Sequence, residues 1–257
     1  MRDPDNVVIV TGGTHGIGRA CVGQLATDGV MVIFCGRDET AAEEVMRRTP
    51  GTIFVRADVA SDEDCKRVVD RALALGNGRI AGLVNNAGLS RRSSFASAPL
   101  ADWDELMAVN ARSAFVMTKL ALVGLGAARG AVVNVASVAG KLGEEGLAIY
   151  CAAKAALIGL TQALALELGD RIRLNAICPG QINTRMMAAI NSKPDARKRL
   201  EARIPAARFG EPDEVAAAIA WLLSPAASYV NGIVMTVDGG ETAGLRIPRE
   251  FAPTVGG

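Results

Sequence analysis

Histidine is almost missing from this chain: His15 is the only one in 257 residues. Mechanisms built on an imidazole base held by a carboxylate, or on several imidazoles around a metal, lack their parts, and no metal site is expected. Tyrosine is nearly as scarce, with Tyr150 and Tyr229 alone. Any acid/base chemistry must therefore come from Tyr, Lys, Cys or a carboxylate. Cys21, Cys35, Cys65, Cys151 and Cys178 include no C-x-x-C pair, the pattern of reduced thiols rather than of a disulfide framework. Neither sign of charge dominates: 28 Lys and Arg against 27 Asp and Glu leave +1, so the basic face that nucleic acid requires is absent. Residues 1–6 carry no apolar run of the signal-peptide kind, and no uninterrupted stretch of 18 apolar residues occurs. The expectation is a soluble cytoplasmic chain with no nucleic-acid or membrane partner.

Apolar residues make up half of the sequence, and glycine is abundant at 28. Short runs rich in β-branched residues alternate with longer amphipathic segments along the whole length. Strands are expected at 7–10, 30–35, 52–56, 82–85, 131–136, 172–176 and 233–237. Helices are expected near 17–28, 41–48, 102–125, 149–169 and 213–223, with another opened by Ser61-Asp62-Glu63-Asp64, a capping serine and three carboxylates suited to a helix N-terminus. Strands without polar alternation, joined by crossover helices, predict a parallel sheet of seven strands, doubly wound and covered on both faces. No linker, repeat or low-complexity tract divides residues 1–257, which are read as one α/β domain.

The first strand runs straight into Thr11-Gly12-Gly13-Thr14-His15-Gly16-Ile17-Gly18, and a helix follows. Glycines let such a turn be sharp and bring backbone N–H groups against a pyrophosphate at the helix N-terminus. Farther on, Tyr150 and Lys154 stand four apart on a predicted helix, so phenol and ammonium share one face. A free phenol, with a pKa of about 10, is a poor base at neutral pH. A cation ~4 Å away at an effective dielectric near 20 contributes about 4 kcal/mol, enough to bring the phenol to about 7. Ser137 closes the fifth strand upstream of this pair, and Asn110 lies inside the preceding helix.

These motifs resemble the short-chain dehydrogenase/reductase family over residues 7–240. T-G-x-x-x-G-x-G matches its dinucleotide turn, which assigns Gly12, Thr14, His15, Gly16, Ile17 and Gly18 to the coenzyme. Asn85-Asn86-Ala87-Gly88 is similar to the family's N-N-A-G segment beside the nicotinamide ribose, Asp58-Val59 to its adenine contact, and Pro179-Gly180 with Ile182 and Thr184 to its carboxamide segment. The resemblance implies a Rossmann-like fold and an Asn110–Ser137–Tyr150–Lys154 tetrad: Ser137 holding the carbonyl oxygen, Tyr150 passing the proton, Lys154 tuning Tyr150 and bonding the ribose, Asn110 holding a relay water. Three residues between Tyr150 and Lys154 fit carbonyl/alcohol chemistry, because related enoyl reductases separate the two by more. Gly36 stands where NAD-preferring relatives have Asp, and Arg37 follows, which favours NADP(H) over NAD(H); Asp38 is read as the cap of the next helix.

The resemblance further implies a small carbonyl or alcohol substrate and a homotetramer or homodimer. A non-catalytic NAD(P)-binding regulator or scaffold stays open as the alternative. Substrate contacts are expected from Leu89–Phe95, Val138–Leu147 and the segment from Pro179 to Phe209. Residues 183–209 of that segment form a lid whose basic run faces either an anionic substrate or solvent. The tail, 241–257, is expected to reach a neighbouring subunit or to fray.

Overall fold

A computed structural model of the chain describes residues 7–245, so the expected tail lies outside the described residues from 246 onward. Seven strands form one sheet in the order β3-β2-β1-β4-β5-β6-β7, and every neighbouring pair is parallel. They are β1 (Val7–Thr11), β2 (Met31–Gly36), β3 (Ile53–Arg56), β4 (Gly82–Asn85), β5 (Ala131–Val135), β6 (Arg173–Pro179) and β7 (Val234–Val237). Period-two alternation splits β1 between two cores. Val7 and Ile9 pack with α3 (Asp62–Leu75), α5 (Ser113–Ala128) and α6 (Ala148–Leu168) on one face. Val8 and Val10 pack with α1 (Gly16–Thr27), α2 (Glu39–Arg48) and α9 (Pro212–Leu223) on the other. All residues of β1, β4 and β5 are buried, as expected of central strands covered on both sides.

Two elements depart from expectation. β6 runs on to Pro179, because Cys178 and Pro179 pair with Thr236 and Val237 of β7, and this carries the loop after it directly to the sheet's carboxyl edge. The helix expected near 102–125 is α4 (Leu100–Met107) and α5, joined by a π turn at Ala108–Arg112. Asn110 explains the turn: its Nδ2 donates to Leu106 O at 2.9 Å, taking the carbonyl that the helix ladder would otherwise use. The caps agree with the sequence, with Ser61 accepting from Asp64 N at 3.3 Å and Asp38 from Ala41 N at 3.0 Å.

Two stretches, Leu100–Ala128 and Ala148–Leu168, are long and apolar enough to cross a membrane by length and composition, although charges interrupt the run in sequence. Here they cover the sheet, and their outer faces stay apolar, with Leu166 89 % and Val123 81 % exposed.

The sheet order reverses between β1 and β4, and such a switch point opens a crevice beyond the strands' carboxyl ends. Six segments emerge there, the loops after β1 to β6. The one after β6 contains α7 (Ala188–Asn191) and α8 (Pro194–Arg203), and a bridge from Ile182 to Gly210 joins its two ends.

Candidate active site

A cleft of ≈ 540 Å³ opens at this switch point. Its coenzyme-sized half is built mainly from backbone. Gly12 turns with φ +65, and a Cβ there would stand 2.9 Å from Ala87 Cα. At Gly18 a Cβ would stand 2.2 Å from Gly12 O and 2.4 Å from Asn86 Nδ2, so only hydrogen fits between the turn and the start of the β4 loop. Asn86 fastens the two together, its Nδ2 donating to Thr11 O at 2.9 Å and Gly12 O at 3.2 Å. α1 opens at Gly16 with no side-chain cap from His15. The N–H groups of its first turn have no intrahelical acceptor and lie at the positive end of the helix dipole. A narrow glycine cradle ending in free N–H groups fits a dinucleotide pyrophosphate.

Of the residues assigned from sequence, Gly12, Thr14, His15, Gly16, Ile17, Arg37, Asp58, Val59, Asn86, Ala87, Gly88, Ser137, Tyr150, Lys154, Pro179, Gly180, Ile182 and Thr184 all line this one cleft. Gly18 does not line it; its part is the close packing just described. Asn110 lies behind the wall. Its Oδ1 accepts from Leu89 N at 3.1 Å and its Nδ2 donates to Leu89 O at 2.9 Å as well as to Leu106. Both N–H groups are therefore spent on backbone, and the side chain acts by pinning the loop after β4. The space next to Gly88 is shared: a Cβ there would meet Asn110 Oδ1 at 2.8 Å and Lys154 Nζ at 3.4 Å.

One end of the cleft is charged. Arg37 lies 3.5 Å from Asp58, and both are well exposed. Arg185 Nη1 donates to His15 Nε2 at 2.9 Å, which leaves Nδ1 as the protonated nitrogen facing Thr14 Oγ1 at 3.0 Å. Asp38 completes the group, 3.4 Å from His15 and 3.9 Å from Arg185. Burial first, then the Arg185 charge, hold His15 below its usual pKa, so its ring is neutral at pH 7. Asp38 is a cleft residue that sequence reasoning did not place there, and Arg185, expected within the substrate-contact segment, sits instead with His15 at the charged end. Asp38 carried only a capping signal, and Arg185 is 170 positions from its partner.

The other end holds a single buried charge. Lys154 is 3 % exposed, donates from Nζ to Val135 O at 2.8 Å, and sits 5.7 Å from the Tyr150 ring centroid. Burial lowers its pKa to about 8. Tyr150 corrects the expectation of a phenol near 7: burial pushes it up to about 12, and a hydrogen bond with Ser137 is the largest opposing influence. The physical reason is geometric. The ammonium is spent on a β5 carbonyl beside the ring, while the phenol pays for its dense surroundings. Ser137 Oγ also accepts from Ala139 N at 3.1 Å, which fixes its rotamer at the end of β5. Leu89, Ser90, Met186 and Met187 complete this end.

Comparison with known proteins agrees with this architecture. A family model described as enoyl-(acyl carrier protein) reductase matches residues 12–242. The chain is 36 % identical over 252 residues to 2-(S)-hydroxypropyl-CoM dehydrogenase 3 of Xanthobacter autotrophicus, covering 94 % of this chain and 98 % of that one. It is 36 % identical to meso-2,3-butanediol dehydrogenase of Serratia marcescens (95 % and 97 % covered) and 37 % identical to the 3-oxoacyl-(acyl-carrier-protein) reductase FabG of Aquifex aeolicus (91 % and 96 %). The crystal structure of a candidate gluconate dehydrogenase from Agrobacterium tumefaciens superposes with a TM-score of 0.88 at 31 % identity, covering 93 % of this chain and 97 % of that one. The chain belongs to the short-chain dehydrogenase/reductase family.

Proposed function

We propose that the chain is a cytoplasmic oxidoreductase that interconverts a small ketone and its secondary alcohol, with NADP(H) favoured over NAD(H). The observation that carries this reading is the meeting of Ser137, Tyr150 and Lys154 in the same cleft as the glycine cradle. A nicotinamide coenzyme supplies or accepts hydride at the carbonyl carbon. The protein's residues do the rest. Ser137 Oγ donates to the carbonyl oxygen as negative charge develops there. Tyr150, kept protonated at neutral pH, passes its proton to that oxygen and is suited to the reductive direction. Lys154 holds the ribose hydroxyls and supplies positive charge beside the phenol. Asn110, through Leu89 and Gly88, keeps the space next to Lys154 to size.

The matching family model is described as an enoyl reductase, but the four-residue step from Tyr150 to Lys154 and the relatives' dehydrogenase and oxoacyl-reductase names support carbonyl chemistry. Arg37, exposed at the charged end, is the phosphate partner that would distinguish NADP(H), and Gly36 before it carries no carboxylate to repel a phosphate. Residues 1–257 act as one catalytic domain with 183–209 as its lid, and the apolar outer faces of α5 and α6 are the contacts of a homodimer or homotetramer.

The test is coenzyme oxidation followed by absorbance, with NADPH and NADH and a panel of ketones. Turnover with higher kcat/KM for NADPH is expected. A strong NADH preference would reverse the role of Arg37. Tight NADPH binding without turnover of any ketone would instead establish the non-catalytic reading; one relative, 38 % identical over 225 residues, is itself named an inactive dehydrogenase.

A further inference from the structure

The carbonyl end of the cleft also bears on what kind of ketone it takes. The basic residues of the lid, which a carboxylate or phosphate handle on the substrate would need, are turned to other uses. Arg197 stacks 4.9 Å from the Phe209 ring centroid and pairs with Glu201, Arg203 pairs with Glu241 at 3.1 Å, and Arg208 pairs with Glu214 at 2.7 Å. Arg185 points to His15 and Asp38 at the charged end. Lys193, Lys198 and Arg199 are exposed and lie outside the cleft lining.

Nearer the site, Arg92 is held by Glu144 and the Glu145 carbonyl, and Lys141 Nζ donates to Thr236 Oγ1 at 2.8 Å. Leu89 and Ser90 from the loop after β4, and Met186 and Met187 from the loop after β6, line the cleft, and Lys154 is the one cation beside the Tyr150 ring among the described residues.

Ser90 is the polar one of these four. Gly88, two residues earlier, packs against Lys154, and Ser93, three residues later, donates from its backbone to Gly146 O at 3.0 Å, just before Tyr150's helix begins. The loop thus brackets the reacting groups with Ser90 in its middle. Ser90 lines the cleft, and its side chain has no hydrogen-bond partner among the described residues. Ser137 and Tyr150 are already committed to the reacting oxygen, so a part-exposed hydroxyl that no protein group engages is available to a second oxygen on the substrate.

Building on the oxidoreductase reading above, we infer that the substrate is an uncharged ketone carrying an oxygen on the carbon next to its carbonyl, with Ser90 as the substrate-binding residue for that oxygen. The apolar remainder of the molecule packs on Leu89, Met186 and Met187. A charged carboxylate in place of that oxygen would lie against this wall with no cation free to meet it.

Three four-carbon probes test this with NADPH: acetoin, which has the neighbouring hydroxyl, 2-butanone, which lacks it, and 2-oxobutanoate, which replaces it with a carboxylate. Acetoin is expected to have the highest kcat/KM. Ser90→Ala should lower the acetoin value about tenfold, as expected for one lost hydrogen bond, while leaving 2-butanone within about twofold. Ser90→Thr, which keeps the hydroxyl, should retain the acetoin preference. Equal efficiency with all three ketones, a preference for 2-oxobutanoate, or an equal loss on acetoin and 2-butanone in Ser90→Ala would overturn the inference while leaving the oxidoreductase reading intact. No turnover of any of the three, with turnover of another ketone of the wider panel, would overturn the inference alone; no turnover of any ketone at all would overturn both.

Discussion

The two ends of the cleft are made of different materials. At the charged end, charges sit in the open: Arg37 and Asp58 are 70 % and 42 % exposed, and Arg185, His15 and Asp38 cluster within 4 Å of one another. At the carbonyl end a single ammonium is sealed in, 3 % exposed, with its phenol neighbour in a dense apolar setting. Exposed ion pairs contribute little to stability, so the first end can be rewired at small cost to the fold. A buried cation works against the folded state that holds it, so the second end is kept for chemistry and costs stability.

Substitutions at each end should separate these roles. Tyr150→Phe removes the phenolic hydroxyl together with its hydrogen bond to Ser137, and kcat is expected to fall by ~10²–10⁴ with coenzyme affinity within a few-fold, read by steady-state kinetics and coenzyme titration. Persisting turnover would move the acid/base role away from the carbonyl end.

Lys154→Met should abolish most activity yet stabilise the protein. Its pKa in the folded chain, about 8, lies below the ordinary 10.5, so between these values the unfolded chain binds more protons and native stability rises with pH. The penalty is complete below about 8 and gone above about 10.5; it amounts to roughly 3 kcal/mol, less the lost hydrogen bond to Val135. A higher Tm for the variant at pH 7, with the gain shrinking from pH 8 upward, is the expected thermal-melt result. A destabilised variant at pH 7 would mean that the buried ammonium supports the fold.

Gly18→Ala tests the backbone-built middle of the cleft. With a Cβ 2.2 Å from a carbonyl oxygen, the turn must shift, and a loss of about 1–3 kcal/mol in urea unfolding together with weaker coenzyme binding is expected. Arg37→Ala should have the smallest effect on the fold, within about 0.5 kcal/mol, while raising KM for NADPH and leaving that for NADH unchanged.

Most of the fold was legible because parallel strands buried on both faces print as continuous apolar runs, and the glycine turn prints as a spacing. Those signals are local. β6 was read short because Cys178-Pro179 only becomes a strand by pairing with β7, more than 50 residues away. Likewise, the π turn at Asn110 depends on a side chain meeting the loop after β4. The cleft residues assigned from motifs came together, but the sign of the Tyr150 shift could not be read from the Tyr-x-x-x-Lys spacing. Spacing gives the neighbour's charge and direction, whereas the burial that raises the phenol is a property of every segment packed around it. The Asp38–His15–Arg185 group, assembled from three segments, left no pattern in any one of them.

The cradle's reliance on peptide groups has a consequence for inheritance. N–H groups come with every residue except proline, so mutation along the turn rarely erases them, and even a Cβ at Gly12 or Gly18 displaces them and weakens the grip by degrees. The proton-passing step, by contrast, depends on one aromatic oxygen. A duplicated gene drifting without selection would therefore lose its chemistry long before it lost its grip on the dinucleotide. Its descendants would begin as holders of a redox carrier, ready to be recruited as sensors of that carrier.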